Sequence, residues 1–201
     1  RPLLRRAFRG PVDQATYERF VAFAKKELDA GVSFTDTMKA LVSATIASPD
    51  FLYLYNVSDT HESSKKDGGR QRVNDIELAS RLSFFFWSSI PDETLLDLAE
   101  QKKLSKPEVL NTQIDRMLAD PRVSRFCEIF PGQWLQLDRL ISSIPEPKEH
   151  PDFYFLGYRA SMHMMMEPLL LFESVFLEDR YVLDLLSPKY TWRSEILRAA
   201  Y

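Results

Sequence analysis

The sequence predicts an all-α fold, a helical hairpin followed by a larger helical bundle. Three observations carry this reading. Helix-capping residues recur ahead of apolar stripes spaced three and four residues apart. Prolines (12) outnumber glycines (6), and most fall where stripes start or stop. No stretch sustains the apolar and polar alternation of a strand, and there is no Asn-Gly hairpin signal.

Asp13 is the first expected N-cap, followed by Tyr17, Phe20, Val21, Ala24 and Leu28 at helical spacing and stopped by Gly31. Ser33-x-x-Asp36 resembles a capping box and opens a second stripe at Phe34, Met38, Leu41 and Val42, which ends by Ser48-Pro49. Residues 51–55, a short aromatic and leucine run, could form a strand, but a helical turn closing the hairpin fits their position better. Residues 56–72 hold almost nothing that favours burial and read as a linker. Inside it, Asn56-Val57-Ser58 matches the glycosylation acceptor pattern, a match that arises often by chance. The expected organisation is a small helical unit at 1–55, a linker at 56–72 and a helical domain at 73–201.

Asn74-x-x-Glu77 opens the larger unit. Ile76, Ala79, Ser83, Phe86, Trp87 and Ile90 share one helix face, and Leu78, Leu82 and Phe85 extend it, leaving a narrow polar strip at Glu77, Arg81 and Ser88. So widely apolar a helix is expected to be the central buried element. Pro91 starts a short helix carrying Leu95, Leu96 and Leu98. Ser105-x-x-Glu108, with Pro107 in the first turn, starts another through Leu110, Ile114, Met117 and Leu118. Asp120-Pro121 restarts the chain toward Val123, Phe126, Cys127 and Phe130, and Pro131 is expected to kink or end that helix before Trp134. Residues 144–151 carry three prolines and read as a loop. A long helix is expected from about residue 153 to 177, then a short one at 182–186 and a last start near Thr191.

Composition narrows the function classes. Hydrophobic residues at 45% and charged residues at 27% are those of a globular chain, and a net charge of -3 leaves no basic footprint for nucleic acid. Cys127 is the only cysteine, which rules out an intrachain disulfide and a Cys-x-x-Cys-His haem attachment. No run of about eighteen apolar residues is present to span a membrane. The start at Arg1, without Met or a signal core, and the end soon after Thr191 read as those of an internal fragment, cut at its C-terminus.

Two long strings resemble known families. Leu4-Arg5-Arg6-Ala7-Phe8-Arg9-Gly10-Pro11, with Ser48-Pro49-Asp50-Phe51-Leu52-Tyr53, is similar to a planctomycete-type domain of unknown function (catalogue number 1595). The string from Glu77-Leu78-Ala79-Ser80-Arg81-Leu82-Ser83 through Phe84-Phe85-Phe86-Trp87-Ser88-Ser89-Ile90-Pro91-Asp92 is similar to a second (catalogue number 1592). Met117-Leu118-Ala119-Asp120-Pro121-Arg122, Gln133-Trp134-Leu135, the string from Glu178 to Leu186 and Tyr190-Thr191 extend that second resemblance. Pro131, Pro168 and Ser194 depart from it. The resemblance implies a large exported bacterial protein, periplasmic or extracellular, whose domains accompany a planctomycete cytochrome c domain, and it implies no known reaction. Any haem would belong to another part of the protein, so no cofactor is expected in this chain.

Five constellations are candidate sites. Met162-His163-Met164-Met165-Met166-Glu167 places His163 and Glu167 at i, i+4, and thioethers with an imidazole could bind copper(I); methionines filling an irregular core near Pro168 is the favoured reading. Cys127 lies on an apolar stripe and reads as a buried, inert thiol. His61 and His150 lack a partner at ligand spacing. Asp92, Glu93 and Asp97 could pair for acid–base work, but the first two fit a helix's first turn as dipole partners. Phe84, Phe85, Phe86 and Trp87 read as core ahead of sugar-stacking. No catalytic, cofactor-binding or metal residue is therefore assigned. The expected function is a helical interaction or scaffolding module that contacts other domains of the same protein and serves a redox partner. The rival is part of an enzyme, carbohydrate-active or redox, whose site is completed by missing segments.

Overall fold

The computed structural model describes residues 1–54, 66–67, 70–71, 73–143, 146–149, 158–192, 194–195 and 198. The all-α class holds. The described residues form two compact units, Arg1–Arg116 and Met117–Tyr201. The expected linker at 56–72, with its Asn56 pattern and His61, lies almost wholly outside the described residues, as do His150 and the first residues of the expected 153–177 helix.

In the first unit, α1 (Pro2–Ala7) precedes α2 (Gln14–Asp29), α3 (Phe34–Ile46) and the single turn α4 (Pro49–Leu52). The caps do what their residue types allow. Asp13 accepts from the Thr16 amide at 2.8 Å, and Ser33 accepts from the Asp36 amide at 3.1 Å while its hydroxyl donates to Asp36 Oδ2 at 2.8 Å. These bonds satisfy amides that the first helical turn leaves without intrahelical partners. Hydrogen bonding to Thr16 holds the Asp13 carboxyl below its usual range, and hydrogen bonding to Ser33, then to Lys39, does the same for Asp36.

Two-residue strands β1 (Lys66–Asp67) and β2 (Arg70–Gln71) pair antiparallel, Lys66 with Gln71 and Asp67 with Arg70. The sequence carries a cue for this pair in Gly68-Gly69, a dipeptide that belongs with Asn-Gly among hairpin signals.

The unit continues through α5 (Asp75–Trp87), α6 (Glu93–Glu100) and most of α7 (Pro107–Leu118). The Asn74 side chain accepts from the Glu77 amide at 2.8 Å, and Ser88 ends α5 in the left-handed region at φ 49°. Ala79, Ser83 and Trp87 are buried on α5, and Leu95, Leu96 and Ala99 on α6, which packs against it. Phe85 corrects the sequence reading: it is exposed on the strip that carries Arg81, so the apolar arc of α5 is narrower than its composition implied. Gly10 lets the segment after α1 approach α5, because a Cβ there would lie 3.0 Å from Ile76 Cγ2.

In the second unit a 3-10 turn at Pro121–Val123 is capped by Asp120, which accepts from the Arg122 amide at 2.9 Å. Then come α8 (Ser124–Trp134), α9 (Asp138–Ser142), α10 (Tyr158–Leu177) and a 3-10 turn at Val182–Leu185. Pro131 does not end its helix; α8 runs through it to Trp134, and Pro131 is itself buried. The ring removes one backbone donor, a loss that falls in the last turn, where the surrounding packing outweighs it. α8 and α9 both pack on α10. Their core is aromatic: Phe126, Cys127 and Phe172 are buried, with Phe176 and Leu185 against them, and the Phe126 ring lies 4.9 Å from Phe176 and 6.0 Å from Phe172. No described helix is long and apolar enough to cross a membrane.

Candidate functional site

The acids of α6 are engaged in structure. Asp92 caps the helix by accepting from the Leu95 amide at 3.0 Å, and its two oxygens also take Arg116 Nη1 at 2.7 Å and Nη2 at 3.2 Å. Glu93 and Asp97 face Arg5 of α1, together with Glu100. Arg5 Nη2 meets Asp97 Oδ1 at 2.6 Å, Nε meets Glu100 Oε1 at 2.7 Å, and Nη1 pairs with Glu93. The hydrogen bond to Glu100 leads the contacts that strengthen the hold of Arg5 on its proton, against the opposing cost of burial. Carboxylates neutralised by arginine forks are poorly placed to exchange protons with a substrate.

Cys127 is buried among Phe126 and Phe172. Burial, reinforced by the charge of Glu173, pushes its thiol up to about 11, so at neutral pH it is protonated and a poor nucleophile. Trp87 is fully buried under the guanidinium of Arg116, whose central carbon lies 5.4 Å from the ring centroid, and Phe86 is nearly so; neither ring is open for stacking. Phe85 alone of the four aromatics is exposed.

The methionine run sits otherwise than its composition implied. None of its four methionines is buried, and Met162 and Met166 stand exposed on α10, at 38% and 44% of their surface. His163 is half-buried. Pro168 lies eleven positions into a helix that continues beyond it to Leu177. Among the described residues no group of three or more His, Cys, Asp or Glu could hold a metal ion.

An open groove of about 600 Å³ runs along α10 in the second unit, within the size range of small-molecule sites. Glu167, Pro168 and Leu171 of α10 form one wall, and Leu185 with Pro188, Lys189, Tyr190 and Thr191 forms the other. Tyr190 is fixed from behind: its hydroxyl lies 3.4 Å from Ser174 Oγ, and the Arg180 guanidinium sits 4.6 Å from its ring centroid. The carboxylate of Glu167 accepts from the Thr191 hydroxyl, which ties the two walls together.

α3 carries an open apolar feature. α3 buries Thr37 and Thr45 and leaves Phe34, Val42 and Ile46 at 67%, 44% and 49% exposure. Those three residues, with half-buried Met38 among them, form one stripe at four-residue spacing. Exposed Leu52, Tyr53 and Leu54 follow at the end of α4, and α2 buries no residue fully.

Residues 73–201, more than half of the chain, match the family described as PSD4, protein of unknown function (DUF1592). The chain belongs to that family. Residues 1–56 match a second description, PSD5, protein of unknown function (DUF1595). No curated protein and no solved structure matches the chain. In this family member the strings that carried the resemblance occupy structural positions. Arg5 lies in the first matched segment and its three acids in the second, and both fall within the first compact unit.

Sequence reasoning passed over Arg5, Arg9, Arg116 and Thr37. Arg9 is buried and donates to the backbone carbonyls of Asp50, Phe51 and Tyr53 at 2.8, 3.0 and 2.7 Å, so it serves as the terminal cap of α4. Arg5 collects acids some ninety positions away. No local periodicity encodes such partners. Thr37 could have been found by its place on the inward face of α3, at i+4 from Ser33 and i−4 from Leu41.

Proposed function

We propose that this chain is a helical interaction module of a multidomain exported protein, and that its partners are other domains of that protein. The observation that supports it is the exchange of burial on α3: threonines inside, Phe34, Val42 and Ile46 outside. A contiguous exposed apolar stripe on a folded helix marks a surface that gains free energy when covered. In the resemblance from which this reading starts, the neighbouring domain is of the c-type haem kind, so the module would serve to hold or present a redox partner outside the cell membrane.

The enzyme reading draws less support. The groove beside α10 offers one carboxylate, Glu167, already engaged by Thr191, whereas glycoside hydrolysis uses a flanking pair. Thiol labelling tests the module. Because Cys127 is buried, Val42→Cys supplies one accessible thiol on the stripe. That thiol should react quickly in the 201-residue chain and slowly when the neighbouring domains are present. Equal rates in both would sink the interaction reading for this face.

A further inference from the structure

We propose that Met162, Met166 and His163 form a surface site for copper(I) on α10. The proposal is independent of the apolar stripe on α3 and rests on three observations. Met162 and Met166 stand four residues apart on one helix, which puts their Cβ atoms about 5–6 Å from each other. Each methionine has three rotatable side-chain bonds, so two sulfurs at that separation converge on one ion without moving the backbone. Both are exposed, at 38% and 44%, although methionine is ordinarily among the residues a fold hides.

His163 completes the donor set. At 3.6 residues per turn, Met162, Met166 and His163 fall within an arc of about 100°. The half-buried imidazole has no hydrogen-bond partner among the described residues. The nearest carboxylate on that side of the helix, Glu167, is engaged by the Thr191 hydroxyl. The available donors are therefore two thioethers and one imidazole. Soft sulfur selects copper(I), while calcium, magnesium and manganese look for several oxygen ligands, of which this side of the helix offers only the Glu167 carboxylate. The other soft sulfur to consider is Cys127, which is enclosed by Phe126 and Phe172.

The test is anaerobic competition for copper(I) held by bicinchoninate, with the 201-residue chain as competitor. The parent should withdraw one equivalent of copper(I). Met162→Leu with Met166→Leu keeps volume and apolarity at exposed positions, so the circular dichroism should stay unchanged while affinity falls roughly ten-fold or more. His163→Ala should weaken binding as well, and X-ray absorption of the loaded parent should show sulfur and imidazole scattering together. Failure of the parent to withdraw copper would overturn the proposal. So would retention by the double leucine variant with loss in Cys127→Ala, since that places the ion on the thiol.

Discussion

Arg116 holds Asp92 through both carboxylate oxygens, at 2.7 and 3.2 Å, while its guanidinium lies over the face of the buried Trp87. One side chain of α7 thereby ties the cap of α6 to the end of α5. Arg116→Ala should cost about 1–3 kcal/mol, as expected for charge-assisted hydrogen bonds in a part-buried setting. Chemical denaturation would measure it. A double-mutant cycle with Asp92→Asn should return a coupling of the same sign, and strict additivity would show that the pair does not contribute as drawn.

Trp87 should matter more. Its ring is fully buried, and truncation to alanine typically costs about 3–5 kcal/mol through lost burial and the cavity left behind. Against a total domain stability of about 5–15 kcal/mol, the denaturation midpoint of Trp87→Ala should fall sharply. A variant that unfolds like the parent would contradict the core position of the ring.

What could be read from the sequence divides along physical lines. Asp13, Ser33, Asn74, Asp92 and Asp120 were legible or nearly so, because an N-cap is a bond between residues two or three apart. Trp87 was legible from helical period. Arg5, Arg9 and Arg116 were not, since each finds its partners across 24 to 95 positions of chain. Phe85 and the methionine run misled for a related reason. Period and composition say which residues prefer burial, and only packing says which helix face receives a neighbour. The copper(I) candidate was visible as a string, yet its accessibility was not.

The Arg5 cluster predicts a salt dependence. Glu93 and Asp97 are more than half exposed, so the network is partly screened and its contribution is modest. Arg5→Ala should lower the midpoint at low ionic strength, and the gap from the parent should narrow as salt is raised. Arg5→Lys should recover only part of it, because one ammonium cannot reproduce a fork that meets three carboxylates. A gap independent of salt would assign the effect to packing of the side-chain stem.

Cys127 predicts a pH dependence with a definite sign. Its folded-state thiol is raised from the ordinary 9.0 to about 11, so the folded chain keeps a proton that the unfolded chain releases. Stability from this group is fully present below pH 9.0 and is lost as pH rises from there through about 11. The stability difference between the parent and Cys127→Ala should therefore shrink across that window. At neutral pH the native thiol should react slowly with a disulfide reagent and quickly once the chain is denatured. Rapid native labelling would refute the buried, protonated state.

Thr37 offers the opposite kind of prediction, a gain. It lies on the inward face of α3 with no exposed surface, and its hydroxyl oxygen has no hydrogen-bond partner among the described residues. Its neighbour on that face, Thr45, relieves the same problem by donating to the Leu41 carbonyl at 2.8 Å. A buried hydroxyl without a partner carries a desolvation cost of about 1–3 kcal/mol. Valine has the same branched shape and its preferred helical rotamer is well defined, so replacing the hydroxyl by a methyl removes the cost without opening a cavity. Thr37→Val should stabilise the chain by about 1 kcal/mol, since valine and threonine have similar helix propensities and the exchange removes only the unpartnered hydroxyl. Thr45→Val should instead be neutral or destabilising, since there the hydroxyl is satisfied. Thermal and denaturant unfolding of the two variants side by side would settle the contrast. Equal effects at both positions would mean that the Thr37 hydroxyl has found a partner in solution.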